Sequence, residues 1–256
     1  MSRKVLYLGD TTLQTAAGYL AGVMTHYGID FDYVASDVAF DAARLEDGYD
    51  ALILSDYPAD RFSPADFEMI VDRNRKGMGL LMIGGWESFT GLGGDYHDTP
   101  LADVLPVAMK GSDDRVNSYA PCMIQPEEAH PIIWGLPFAE RAAAINGYNQ
   151  WRAKEDATTV LSLRRYDAAF SGGDFQFSLR DHDPLLVVDI VRAGRVACYA
   201  GDVAPHWAGG FVDWGDRRLA LRAEGAEEVE VGDWYVEFFG NLVKWVAGNS
   251  ECSAAK

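Results

Sequence analysis

Two stretches of the sequence set residues able to move protons or attack a carbonyl beside glycines. The first is Gly84-Gly85-Trp86-Glu87-Ser88-Phe89, which follows the apolar run Leu80 to Ile83 and leads through Gly91, Gly93 and Gly94 to Asp95-Tyr96-His97. A sharp strand-to-helix turn needs residues without a Cβ, and it presents the next side chain at the rim of a sheet, the geometry that nucleophile elbows use. The second is Gly201-Asp202 with Pro205-His206-Trp207 and Gly209-Gly210, after the apolar run Val196 to Ala200. Glu87, held beside Trp86, would have its carboxyl pKa raised by desolvation and suits general acid or base work. His206 could share that work, or pair with Ser88 as a nucleophilic system oriented by Asp202 or Asp10. Ser88, though, does not stand between the glycines of a GxSxG elbow. Each of these side chains also has a structural reading, with Trp86 as a core anchor, Glu87 as a cap and His206 bonded to backbone at the rim.

His97 clusters with Asp95 and Asp98, and a metal ion held by His97, His206 and a carboxylate such as Asp10 would have suitable donors. No HxH or HExxH spacing supports it, so no metal is expected. Without a G-x-G-x-x-G after the first strand, and without a P-loop, no nucleotide or other cofactor is expected either. His182, in Asp181-His182-Asp183-Pro184, reads as a turn before the Leu185 strand. Aromatic residues crowd the same loops, notably Trp86, Phe89, Tyr96, Trp207, Phe211 and Trp214. Beside carboxylates they would suit a neutral, sugar-like ligand. They would equally build a subunit interface through Trp207 and Trp214, so a homo-oligomer stays open.

The elements that must position these residues follow from periodicity. Val5 to Leu8 is an apolar run ending in Gly9-Asp10, and Thr12 to Tyr27 has helical spacing up to the stop at Gly28. Strands follow at Phe31 to Val34 and at Ala51 to Ser55, the latter ending in Ser55-Asp56. Ser63-Pro64 opens a helix as N-cap and first helical residue, Gly77 closes it, and Leu80 to Ile83 is the next strand. Continuously apolar strands between amphipathic helices imply a mostly parallel sheet covered on both faces, with ligands outside the carboxyl ends of its strands. Asp10, Ser55-Asp56 and the segment after Ile83 should therefore share one rim. The second half turns to short β-like runs, including Cys122 to Gln125 and Thr158 to Leu163, and to a hairpin of Leu185 to Val191 with Arg195 to Ala200 around Ala193-Gly194. A helix from Trp234 to Ala247 closes a single α/β domain spanning 1–248, with a flexible tail at 249–256.

Composition bounds the partners. The 256 residues carry 22 Lys and Arg against 39 Asp and Glu, a formal net charge of −17. Such a chain repels phosphate backbones and anionic membranes, so neither nucleic acid nor a membrane is an expected partner, and a small polar ligand is. With 48% hydrophobic residues the chain lies far from the composition of disorder. Cys122, Cys198 and Cys252 are odd in number and widely spaced, which fits a reducing compartment better than a disulfide framework. With no signal-peptide pattern in MSRKVLYLGD and no long apolar span, a cytoplasmic location is expected.

Several phrases together resemble the putative glutamine amidotransferase family of the class I glutamine amidotransferase-like superfamily, related to trehalose-utilisation-type proteins. They are the strand pattern of the opening, Ser63-Pro64, LLMIGGWESF, Tyr96-His97-Asp98-Thr99-Pro100-Leu101 before Val104-Leu105-Pro106, His130-Pro131-Ile132-Ile133-Trp134-Gly135-Leu136, and Gly201-Asp202-Val203-Ala204-Pro205-His206-Trp207. The resemblance runs from about Lys4 to Ala247 and implies a flavodoxin-like three-layer sandwich, mostly parallel, with antiparallel strands added in the second half. It also implies a cysteine in the elbow and a late His and Glu two residues apart. Here the elbow reads Gly84-Gly85-Trp86-Glu87, and Ala208 stands where the carboxylate would follow His206. Glutamine hydrolysis needs a thiolate to form its acyl-enzyme, so no glutaminase activity is expected. What remains is a ligand rim of Asp10, Gly85, Trp86, His97 and Trp207. The alternatives are a hydrolase or isomerase of a small carbohydrate-like substrate using Glu87 and His206, or an assembly module.

Overall fold

The structure is a computed structural model that describes residues 3–248. The tail expected at 249–256 lies outside the described residues. In chain order the first half comprises β1 (Lys4–Gly9), α1 (Ala17–His26), β2 (Asp30–Val34), β3 (Ala51–Ser55), α2 (Pro64–Arg75), β4 (Gly79–Ile83), α3 (Leu101–Val104) and β5 (Val107–Ala108). The second half comprises β6 (Arg115–Pro126), β7 (Ala144–Asn149), β8 (Arg152–Ala153), β9 (Thr158–Ser171), β10 (Asp174–Val191), β11 (Gly194–Tyr199), α4 (Pro205–Ala208), β12 (Arg218–Leu221), β13 (Val229–Gly232) and α5 (Asp233–Val246).

Nine strands form the main sheet in the order β2-β1-β3-β4-β11-β10-β9-β6-β7. Pairing is parallel from β2 to β11 and antiparallel from β11 outward. This is the expected flavodoxin-like α/β arrangement, with the antiparallel strands in the second half. The strands β1, β3 and β4 are apolar throughout because both faces are covered. Two glycines show how. A Cβ on Gly79 would meet the Val246 carbonyl oxygen of α5 at 2.1 Å, and one on Gly194 would meet the Asn74 carbonyl oxygen of α2 at 2.0 Å. Val196 pairs with Leu80, so these two glycines point to opposite faces, and α5 and α2 occupy opposite layers. Helix α1 packs beside α5.

Local signals explain the boundaries. Ser63 and Asp66 form a reciprocal capping box at α2 with Pro64 in the first turn. Helix α1 starts at Ala17, later than the periodicity from Thr12 suggests, because Thr12 diverts the backbone: its Oγ1 accepts from Gln14 N and its carbonyl from Thr15 N.

Three expectations are corrected. No helix follows β4 directly; residues 84–95 are turns, so the strand-to-helix elbow is absent. His182 lies within the long strand β10 and not in a turn, because β10 runs unbroken from Asp174 to Val191 and absorbs Pro184 through register shifts against β9. The β10–β11 hairpin turns at Arg192-Ala193, with Arg192 left-handed at φ 59°, while Gly194 already pairs with Val191.

Candidate functional site

The strand order places β1 between β2 and β3, so the crossovers leaving β1 and β3 run to opposite sides and a crevice opens between their carboxyl ends. Asp10 follows β1 and Asp56 follows β3. Both adopt left-handed backbone, with φ of 40° and 48°. Aspartate tolerates this conformation better than most residues, yet it costs free energy that surrounding contacts must over-determine. Here Asp10 N donates to Ser55 O, Ser36 N donates to Asp10 O at 3.0 Å, and Tyr33 Oη donates to Asp10 O at 2.6 Å. Asp56 N donates to Ser88 Oγ at 3.0 Å. The two carboxyl groups are thereby aimed by their own backbones into a cavity of about 280 Å³ lined by Asp10, Thr11, Ser36, Asp56, Trp86, Glu87 and Leu92.

Glycines make the approach feasible. A Cβ on Gly9 would stand 1.8 Å from Ser55 O, and one on Gly85 would stand 2.0 Å from Asp56 Oδ1. The Asp56 carboxylate occupies the space that a side chain at position 85 would need, and accepts from Glu87 N at 2.8 Å. Behind this loop Asn149 clamps Gly85 through both its amide atoms, accepting from Gly85 N at 2.9 Å and donating to Gly85 O at 3.2 Å. Asn149 also donates to Asp114, whose carboxylate accepts from Thr90 N and Gly91 N. A buried amide–carboxylate pair thus sets the shape of the 84–91 turn in place of an elbow helix.

The electrostatics are those of crowded acids out of water. Burial, then the neighbouring carboxylates of Asp56 and Glu87, push the Asp10 carboxyl up to about 8. Burial raises Asp56 to about 6 against the opposing pull of its backbone donors. Asp202, after β11, is fully buried and held well above the usual carboxylate range by burial and by Asp56 and Asp10. Burial also raises Glu87, and Arg61 opposes it. Asp10 Oδ2 and the hydroxyls of Ser55, Tyr7 and Tyr199 are buried without a hydrogen-bond partner. Unsatisfied buried polar atoms are uncommon and call for a ligand, a water or a function.

The residues nominated from sequence divide. Asp10, Trp86 and Glu87 line the cavity, and Gly85 forms its wall. Trp86 is 48% exposed, with the Arg115 guanidinium 4.7 Å from its ring centre. Ser88 is buried and spends its Oγ on Asp56 N, which positions Asp56 and gives Ser88 no access to the cavity. His206 is half-exposed on α4 and places Nε2 3.0 Å from Asp202 Oδ2. The ring's orientation leaves that oxygen without a well-directed hydrogen bond. Its own pKa is lowered by burial. His206 therefore meets the acid cluster through Asp202, behind the cavity. His97 turns to Asp98 at 3.3 Å and packs near Gly111. Trp207 is buried over Gly147 and donates Nε1–H to Asn117 Oδ1. Trp207 and Trp214 are 2% and 6% exposed within their own chain, so neither is offered to another subunit. Among the described residues, no group of three or more His, Cys, Asp or Glu is arranged to hold a metal ion.

Asp56, which the sequence places on the shared rim as part of the polar pair ending β3 but does not single out as a ligand residue, also lines the cavity. Asn149 and Asp114 had no local signal at all.

The family described as "Putative glutamine amidotransferase" matches residues 7–221. Cytoplasmic protein STM3548 from Salmonella typhimurium superposes with a TM-score of 0.72 at 26% identity, covering 95% of this chain and 98% of that one. Cytoplasmic protein STM1381 from Salmonella typhimurium LT2 gives 0.72 at 27% identity, covering 95% and 99%. A ThuA-like protein from Bacteroides uniformis shares the fold, with a TM-score of 0.54 at 14% identity over 95% and 91% of the two chains. A search among curated proteins finds no match. No helix among the described residues is long and apolar enough to cross a membrane. With the family pattern covering most of the sequence, the chain belongs to the putative glutamine amidotransferase family.

Proposed function

We propose that this amidotransferase-like domain has no glutaminase activity and binds a small, hydrogen-bond-donating ligand, neutral or cationic, in the cavity between Asp10, Asp56 and Glu87. One observation carries the reading: three carboxyl groups converge on a cavity at the strand-end switch point, and the buried Oδ2 of Asp10 has no partner. An anion would meet like charge there, whereas hydroxyl or ammonium donors would satisfy the acceptors. Absence of glutaminase activity is supported by the missing elbow cysteine and by the two thiols among the described residues: Cys122 and Cys198 are buried, and burial pushes the Cys198 thiol far from the thiolate form. The names of the two Salmonella relatives support a cytoplasmic setting.

Glu87 favours a second, catalytic version of the same reading. It is the most accessible of the three acids and has a raised pKa, so it could protonate or deprotonate a bound carbohydrate-like substrate.

Thermal-shift and calorimetric titration with neutral polyols (glucose, trehalose) and amines (ethanolamine, putrescine) tests the binding reading. Binding by either class, lost in Asp56→Asn, is expected. Amine affinity should rise from pH 6 to pH 8 as Asp56 and Asp10 ionise, and polyol affinity should not. Ammonia released from glutamine by the pure protein would overturn the first half of the proposal.

A further inference from the structure

The strands β9 and β10 continue past the sheet as a two-stranded arm. In the arm Phe170 pairs with Phe175, Ala168 with Phe177 and Tyr166 with Leu179, while Ala169 pairs with Gln176 and Asp167 with Ser178. Residues directly opposite in an antiparallel pair share a face, and neighbours along a strand alternate. One face of the arm is therefore apolar apart from the Tyr166 hydroxyl, and the other is polar apart from Ala169. The apolar face is not covered by this chain: Phe170, Phe175, Phe177 and Leu179 are 67%, 67%, 70% and 52% exposed. The rings touch one another, Phe170 to Phe175 at 5.1 Å and Phe175 to Phe177 at 6.4 Å between centroids. At its base the face runs into an apolar groove of about 320 Å³ formed by Ala120, Pro121, Met123, Tyr166, Ala168 and Phe177.

A free two-stranded ribbon is marginal in water, and alternation of this kind normally marks a buried face. We propose that the arm is a dimerisation element, and that its apolar face packs against the same face of a second copy of this chain. Area supports that occupant. Aromatic side chains of about 200 Å² each, exposed to this degree, give with Leu179 and the groove on the order of 600 Å² per copy. Two copies together then bury about 1,200 Å², within the range of specific interfaces. Charge supports it too. A chain of net charge −17 resists self-association, but this face carries no Asp, Glu, Lys, Arg or His side chain; Asp167 and Arg180 pair with each other at 3.8 Å, and Asp167 lies on the polar side. Groove and aromatic knobs lie on one surface, so a two-fold arrangement is complete without any further partner and closes on itself.

The test is sedimentation with light scattering from about 1 to about 100 µM, a span chosen because interfaces of this area range upward from micromolar affinity. The wild-type chain should approach twice its 28.1 kDa mass, and Phe175→Glu with Phe177→Glu should remain monomeric with an unchanged circular dichroism spectrum. Hydrogen exchange on the wild-type chain, which needs no variant, should show protection of 166–179 rising with concentration. A wild-type chain monomeric throughout, a dimer that survives the double substitution, or exchange in the arm independent of concentration in a dimer would each overturn the proposal.

Discussion

Raising the pH from 5 to 8 is expected to destabilise the folded chain markedly, and Asp10→Asn to remove much of that loss. In the folded state the Asp10 carboxyl keeps its proton up to about 8, against an ordinary value of 3.8. Between those two pH values the folded chain holds a proton that the unfolded chain has released. Stability therefore falls as pH rises through this window, by at most about 1.4 kcal/mol per unit for one such group. Asp56 acts with the same sign between 3.8 and about 6, and buried Asp202 with the same sign again. Carboxylates of the opposite kind exist. Asp113 is lowered to about 2 by its hydrogen bond with Arg115, and Asp32 is lowered by Tyr49 and Lys4. Their contribution is complete above the ordinary carboxylate value and is lost below it, outside the window. Urea denaturation at pH 5, 6.5 and 8 should show a loss of several kcal/mol across the series, and Asp10→Asn should gain stability over wild type at pH 8, with a smaller gain at pH 5, where the unfolded carboxyl has already begun to release its proton. A wild-type profile that is flat or rises toward pH 8 would contradict the crowded-acid description of the site.

Gly85→Ala is expected to abolish ligand binding while leaving the chain folded. The new Cβ would need to stand 2.0 Å from Asp56 Oδ1 and 2.3 Å from its Cγ, contacts that real side chains do not make. The main chain cannot move away, because Asn149 holds both Gly85 N and Gly85 O. The carboxylate must then swing out and give up its bond from Glu87 N. Overpacking of this kind costs about 1–3 kcal/mol, well short of unfolding a domain of ordinary stability. The same substitution at Gly9 meets backbone, the Ser55 carbonyl oxygen at 1.8 Å, and should damage the fold itself. Thermal denaturation of the two variants beside ligand titration of Gly85→Ala separates these outcomes; Gly85→Ala binding as wild type would show that Asp56 is not part of the site.

What sequence could convey about this site follows from how far apart its parts are. Asp10, Trp86 and Glu87 were legible because each sits directly after an apolar strand, and the rule that ligands gather at strand carboxyl ends needs only local pattern. Asp56 obeys the same rule, but its importance arises from a left-handed backbone and from the empty space at Gly85, and neither is a property of residue type. Asn149 lies 64 residues from Gly85 and 35 from Asp114, so only the folded sheet brings them together. His97, Ser88 and Trp207 show the reverse. Their chemistry is attractive on paper, and the fold uses it for a turn, a backbone acceptor and a core contact. The arm went unread, with strands expected there only at Thr158 to Leu163 and from Leu185: Phe175, Phe177 and Leu179 alternate, but a chain alone does not reveal that nothing of its own will cover them.

The most direct measurement is a crystal soaked in a mixture of glucose, trehalose, ethanolamine and putrescine at pH 8. A bound molecule whose hydroxyl or ammonium donors reach the carboxylates of Asp10 and Asp56, beside Trp86, is the expected result. A cavity holding only water, with the same molecules bound instead in the groove of Glu127, Glu128, Ser162 and His182 or nowhere, would contradict the assignment of the strand-end carboxylates as the binding site.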